Sequence, residues 1–316
     1  MYNYCTLFDS NYLTRGLAMY ESLKRYSNNF HLYIFAFDDG SYKLLKKLGL
    51  EYVTIISLKD FENKELLKVK GNRSAGEYCW TCTPSTIKYC IENYNLDSCT
   101  YLDADLYFFS NPSVLIEEMK DKSVLITEHR YTPEYDQSAT SGIYCVQFMT
   151  FKNDGNGMKA LNWWQVSCNE WCYARFEDGK FGDQKYLDNW TTRFKGIHEL
   201  QNLGGGVAPW NVQQYDLSKK EFKLVFYHFH NYKFLEDGKI DLGDYRLDWK
   251  NIAILYTPYT RHLNEITKEL IKIDKISDYN GIVKKKKLHW KTPLRTLRRK
   301  IKGIHNIYSV QELLGE

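Results

Sequence analysis

Short apolar runs alternate with amphipathic stretches from the first residues of the chain. Residues 3–8 (NYCTLF) read as a buried strand, and Asp9, Ser10 and Asn11 follow as a cluster of helix-capping side chains. Leu13, Leu17, Tyr20 and Leu23 then recur near one helical face, which predicts a helix over 12–26. Residues 31–37 (HLYIFAF) predict a second strand, closed by Asp38-Asp39-Gly40, then a helix over 42–47 and a third strand over 52–56. Such a β-α-β-α-β start implies a parallel sheet with crossover helices.

The pattern continues with a helix over 78–93, in which Pro84 belongs to the first turn or breaks the helix. Strands follow over 99–102, 123–127 and 142–149, then a tryptophan-rich helix over 158–172. QNLGGGVAPWN (201–211) is turn-rich, and its glycines lack the spacing of a nucleotide-binding fingerprint. It reads as a flexible acceptor-side loop or a simple turn. LVFYHFH (224–230) predicts a further strand, and the chain turns helical and polar from about 255. With no internal repeat or flexible linker, the expected organisation is one α/β domain over 1–255 and a helical region over 256–316.

Composition sharpens this reading. Hydrophobic residues make up 43% of 316, which suits a sizeable core and excludes a disordered chain. Aromatics reach 16%, serving pocket walls and ordinary core alike. No apolar leader precedes the first strand, so the eight cysteines are expected to be free thiols in the cytoplasm. The net charge of +4 is uneven, because residues 281–303 carry ten Lys or Arg and no acid. Leu294, Leu297, Ile301, Ile304 and Tyr308 recur among or beyond them at helical spacing. That predicts a basic amphipathic helix past Pro293, in a tail over about 281–308 that lies on the anionic inner face of the plasma membrane rather than binding nucleic acid. No apolar run of 18 residues is present to span a membrane.

Candidate chemistry centres on YLDADLYFFSNP (101–112). Carboxylates at i and i+2 of an extended chain face one side, so Asp103 and Asp105 read as a cation site or as a solvated strand-end turn. A divalent ion there would keep positions open for phosphate oxygens and act as a Lewis acid on a diphosphate leaving group. Oxygen ligands suit Mg²⁺ or Mn²⁺, and an imidazole from His228 or His230 tilts the choice to Mn²⁺. Asp9 and Asp103 both follow strands, and ligands of open α/β sheets collect outside the C-terminal strand ends. Lys233 follows closely enough for a phosphate contact. Asp183, in GDQKYLDNW (182–190), reads as a helix N-cap or a cleft carboxylate. Trp210 and Asn211 read as packing residues or as a sugar-stacking and hydrogen-bonding pair.

With these residues assembled, the chain resembles the GT-A fold glycosyltransferases, and most closely the family 8 type of lipopolysaccharide sugar transferases and glycogenin-like enzymes. The resemblance rests on CTLFDSNYLTRGLAMYESL (5–23), YLDADLYF (101–108), FGDQKYL (181–187) and YHFHNYK (227–233), in the family's order. It implies a Rossmann-like, mainly parallel mixed sheet flanked by helices. It implies that Asp9, Asn11 and Tyr12 hold the base and ribose, and that Asp103 and Asp105 hold Mn²⁺ or Mg²⁺ on the diphosphate. Asp103 would also touch the ribose, His228 would be the third protein ligand, and Lys233 would bind a phosphate. Asp183 and Gln184 match the family's Asp-Gln pair, beside the donor hydroxyls and the anomeric carbon. Thr140-Ser141-Gly142 stands where the family has Asn-Ala-Gly. GNRSAGEYCWTCTP (71–84) replaces a helix carrying a donor-contacting arginine, and Arg73 is the candidate for that part.

The implied activity is metal-dependent transfer of a sugar from a nucleotide-sugar, UDP-linked by preference, to a glycan or lipid-linked acceptor in bacterial surface polysaccharide synthesis. A nucleotidyl- or phosphotransferase is the alternative, but residues 9–16 supply no glycine- and lysine-rich phosphate loop. A non-catalytic glycan-binding protein is the third reading.

Overall fold

A computed structural model describes residues 1–274, 278–284, 297 and 299–315. Strands β1 (Tyr2–Phe8), β2 (Phe30–Ala36), β3 (Val53–Ser57) and β4 (Ser98–Leu102) run parallel in the spatial order β3-β2-β1-β4. After β4 the short β5 (Leu106–Phe108) leaves this sheet. β6 (Val124–Glu128), β7 (Tyr144–Lys152) and β8 (Ile197–Glu199) complete it in the order β4-β7-β6-β8, with β7 antiparallel to both neighbours.

The alternation of side chains along each strand divides the core into two layers. Tyr4, Phe8, Leu32, Ile34 and Ala36 pack on one face against helix α1 (Leu13–Tyr26). Cys5, Leu7, Tyr33 and Phe35 point to the other face, where helices α2 (Ala75–Asn93) and α3 (Gly155–Glu170) lie. Trp164 of α3 is fully buried there. A last long helix, α4 (Thr257–Ile273), joins the first layer through Tyr259, Leu263 and Leu270.

Several elements depart from the expected pattern for local reasons. Helix α2 begins at Ala75 because Ser74 and Glu77 form a capping box, and Pro84 lies inside the helix rather than at its start. Thr81 and Thr83 donate to carbonyls four residues back, the side-chain bonding that accompanies bent helices. The expected strand over 224–230 shrinks to β9 (Phe226–His228), which pairs antiparallel with β5. The glycines at 204–206 are buried, not a flexible loop. A Cβ on Gly204 would lie 2.0 Å from the Lys223 carbonyl oxygen, and Gly206 has φ +87.

β10 (Lys233–Phe234), β11 (Lys239–Asp241) and β12 (Ile307–Ser309) form a small antiparallel sheet. This corrects the helix expected past Pro293; within the tail, residues 285–296 and 298 lie outside the described residues. Leu297 and Ile301 are exposed, but the helical turn ends at Ile301, Ile304 is buried, and Tyr308 sits in β12. Arg299 donates both Nη2 bonds to Asp241 at 2.7 and 3.0 Å and a further one from Nε to Asp244. Among the described residues no helix is long and apolar enough to cross a membrane.

Candidate functional site

β1 and β4 are parallel neighbours, so Asp9 and Asp103, which follow them, emerge at the same edge of the sheet. β6 ends at that edge before His129, and the antiparallel β7 begins there after Ser141. Between these ends opens a cleft of about 590 Å³. Its lining includes Asp9, Asn11, Tyr12, Trp80, Tyr101, Asp103, Asp105, Asp183 and Gln184, and it continues to His129, Tyr131, Trp210, His228, His230 and Tyr245.

The carboxylates of Asp103 and Asp105 converge through a turn, not through a strand pleat. Leu106 donates its N–H to the Asp103 carbonyl at 3.2 Å, closing a turn over the Asp-Ala-Asp stretch. The same turn starts β5, whose Leu106 pairs with His228. Phe229 also donates its N–H to the Asp105 carbonyl, at 2.9 Å. His228 Nε2 is thereby placed 3.1 Å from Asp105 Oδ1 and 3.8 Å from Asp103 Oδ2. One ligand atom from each of Asp103, Asp105 and His228 lies within 4.8 Å of the others. Two carboxylate oxygens and one imidazole nitrogen, on an open cleft, fit Mn²⁺ or Mg²⁺. His230 lies beside this cluster, its ring centroid 5.7 Å from that of His228, and its Nε2 contacts the Asn231 side-chain amide instead.

The charges show how strongly these groups are coupled. Burial raises the Asp103 carboxyl to about 6, the His228 charge opposes that shift, and Asp105 adds to it. Burial also pushes Asp105 upward, but the neighbouring His228 outweighs it and holds the group below the usual carboxylate range. At His228 burial favours the neutral ring, yet the charge and hydrogen bond of Asp105 win and raise it well above the ordinary imidazole value. Tyr101, two residues before Asp103, donates its hydroxyl to Asp103 Oδ1 at 3.0 Å.

Asp183 lies across the cleft and does not cap a helix. The short helix after it spans Lys185–Asn189, with Gln184 at the cap position making no side-chain cap bond. Its side chain is buried, and the Trp164 indole holds its backbone carbonyl at 2.8 Å. Burial, then the charge of Asp103, raises its carboxyl to about 8. Gln184 donates Nε2 to the Ser141 carbonyl at 2.7 Å. Asp9 accepts from the backbone and side-chain amides of Asn11, both at 2.9 Å, and so presents Asn11 and Tyr12 at the rim.

Two candidates do not line the cleft. The Arg73 guanidinium sits 3.9 Å from the Tyr173 ring centroid and donates to the Asn169 carbonyl, outside the cleft lining. Lys233 belongs to β10, opposite Asp241, and also lies outside the lining. Asn211 is committed to the fold: its Nδ2 bonds the His129 and Gly206 carbonyls and its Oδ1 accepts from Ala208. Trp210 does line the cleft, with its indole N–H held by the His129 carbonyl at 2.8 Å.

Sequence reasoning missed Tyr101, His129 and Arg15. Arg15 is buried, donates to the carbonyls of Asn11, Asn280 and Tyr232, and lies 4.5 Å from the Tyr12 ring centroid. The helical pattern did not mark it, because Arg15 lies on the side of α1 away from Leu13, Leu17 and Tyr20.

No family model matches the chain. It is 30% identical over 285 residues to the uncharacterised protein YfnD of Bacillus subtilis strain 168, covering 85% of this chain and 91% of YfnD. YfnF of the same organism, also uncharacterised, is 28% identical over 298 residues, covering 89% of this chain and 97% of YfnF. Among solved structures, the galactosyltransferase LgtC, in complex with donor and acceptor sugar analogues, matches with a TM-score of 0.52 at 11% identity. That match covers 83% of this chain and 95% of LgtC, and it establishes the GT-A type of fold.

Proposed function

The chain belongs to the same family as YfnD, and we propose that it is a metal-dependent glycosyltransferase acting on a nucleotide-sugar, a UDP-sugar by preference. One observation carries the reading. The cleft gathers four carboxylates, Asp9, Asp103, Asp105 and Asp183, and no lysine or arginine lines it among the described residues. A divalent cation held there would offset the charge that a diphosphate brings beside Asp9, Asp103 and Asp105. Asp103, Asp105 and His228 are the residues that would hold it. When bound, the cation supplies Lewis-acid stabilisation of the departing diphosphate.

The remaining steps belong to the protein's own groups. Asp9, Asn11 and Tyr12 flank the base and ribose at the open rim, with Arg15 fixing Tyr12 from behind. Asp183 keeps its proton to about pH 8, so at neutral pH it donates a hydrogen bond to a donor-sugar hydroxyl rather than serving as a base. Gln184, anchored on Ser141, faces the reacting carbon. The wall of His129, Tyr131, Trp210, His230 and Tyr245 takes a glycan or lipid-linked acceptor, as aromatic walls suit sugar rings.

The test is a panel of nucleotide-sugars incubated with the protein and Mn²⁺ while nucleotide products are followed. UDP release that stops on chelation supports sugar transfer. UMP with a sugar phosphate would assign the site to a phosphotransferase, and no turnover of any donor would sink the enzymatic reading.

A further inference from the structure

Gln147 lies within β7, fully buried, and touches both segments that bring ligand atoms to the end of β4. Its backbone carbonyl accepts the Asp103 N–H at 3.0 Å. Its side-chain Oε1 lies 2.7 Å from His228 Nδ1, a contact between two buried side chains.

The chemistry of this contact is directional. A carboxamide oxygen accepts but cannot donate, so His228 must place an N–H on Nδ1. When the ring gives up its other proton to bind a cation, the lone pair lies on Nε2, the nitrogen that faces Asp105 and Asp103. Ring orientation follows as well, because the amide holds the far side of the imidazole in line.

Local packing gives no stabilising reason for a glutamine at this position. Its Nε2 is buried with no hydrogen-bond partner, and an unmade bond of this kind destabilises the fold. An apolar side chain of similar volume would fill β7 without that penalty. What accounts for the amide is the work of its oxygen on His228.

We propose that Gln147 is a positioning residue for divalent-cation binding, setting the tautomer and angle of His228. This rests on the reading that Asp103, Asp105 and His228 hold the cation. The experiment measures Mn²⁺ affinity from the electron paramagnetic resonance of free Mn²⁺, at fixed pH and with no nucleotide-sugar present. Gln147→Leu is expected to weaken binding about 10–100-fold. Gln147→Glu, which keeps an acceptor at Nδ1, is expected to stay within a few-fold of wild type. In a His228→Ala background, Gln147→Leu should have no further effect. Melting of the metal-free variants by circular dichroism confirms folding, and Gln147→Met replaces the leucine variant if that one fails to fold. Wild-type affinity in a folded apolar variant, or equal losses with Glu and Leu, overturns the proposal. A wild-type protein that binds no Mn²⁺ overturns the cation reading, and Gln147 with it.

Discussion

The two sides of the cleft are built by different means. On one side, Asp9 and Asp103 stand at the ends of β1 and β4, in a sheet of seven paired strands. On the other, His228, His230, Trp210 and Tyr245 come from a stretch of two- and three-residue strands and turns, held by side-chain bonds such as Trp210 to the His129 carbonyl. The regular side supplies charge at positions that backbone pairing dictates. The irregular side supplies rings whose placement depends on a few individual contacts. Substitutions on the first side should therefore act on chemistry with little loss of fold, and substitutions on the second should act on both.

The largest effect tests the regular side. Asp103→Asn with Asp105→Asn is expected to lower sugar transfer by about 10²–10³-fold or more, as loss of charge-stabilising groups does. The melting temperature should change little, because relief of the repulsion between Asp103 and Asp105 is offset by loss of the Asp105–His228 attraction. Turnover surviving in the double variant would break the assignment. Next comes His228→Ala, on the irregular side, expected to weaken Mn²⁺ binding about 10–100-fold with activity partly restored by excess Mn²⁺. Activity lost with no change in metal affinity would move His228 from ligand to structural support.

A third prediction uses pH to set the sides against each other. His228 holds its proton well above the usual imidazole value, and that proton competes with the cation. Mn²⁺ affinity, read by calorimetry, should thus fall by about tenfold per pH unit below the His228 value. Without metal the trend reverses. Asp183, raised to about 8, binds its proton more tightly folded than unfolded, so its contribution to stability is full below about pH 4 and lost as pH climbs to 8. Asp183→Asn should flatten that part of the melting-temperature profile, and an unchanged slope would count against a buried, proton-holding Asp183. The smallest effect is expected of Trp210→Phe, which keeps most of the ring and drops one hydrogen bond, costing about 1 kcal/mol by denaturant melting. A far larger loss would show the irregular side to be more tightly built than its short strands suggest.

The regular side was also the more legible in the sequence. The short apolar runs in NYCTLF and HLYIFAF placed β1 and β2, and the strand-end rule put Asp9 and Asp103 at one edge. Periodicity could not show that a turn brings Asp105 back toward Asp103, since the hydrogen bond from Leu106 that closes it is local backbone geometry. Nor could it show Gln147 beside His228, because that contact depends on β7 inserting antiparallel between β4 and β6. β12 escaped for another reason: three residues give no period, and their pairing partner lies in β11, far back in the chain. Arg73 and Lys233 were singled out by residue type and proximity in sequence. Neither lines the cleft: Arg73 lies against the Tyr173 ring, and Lys233 sits in β10, from which its charge acts on His230.

That late strand has a bearing on how the molecule comes into being. β12 and Arg299 brace β11 and Asp244, the residues that lead directly into Tyr245 on the cleft wall. During synthesis the sheet of the N-terminal half can pair as it emerges, since its strands find their partners within the first 200 residues. The wall bearing Tyr245 gains its brace only after residue 309 has left the ribosome. A nascent chain thus shows its acidic edge before the wall bearing Tyr245 gains the brace of β12.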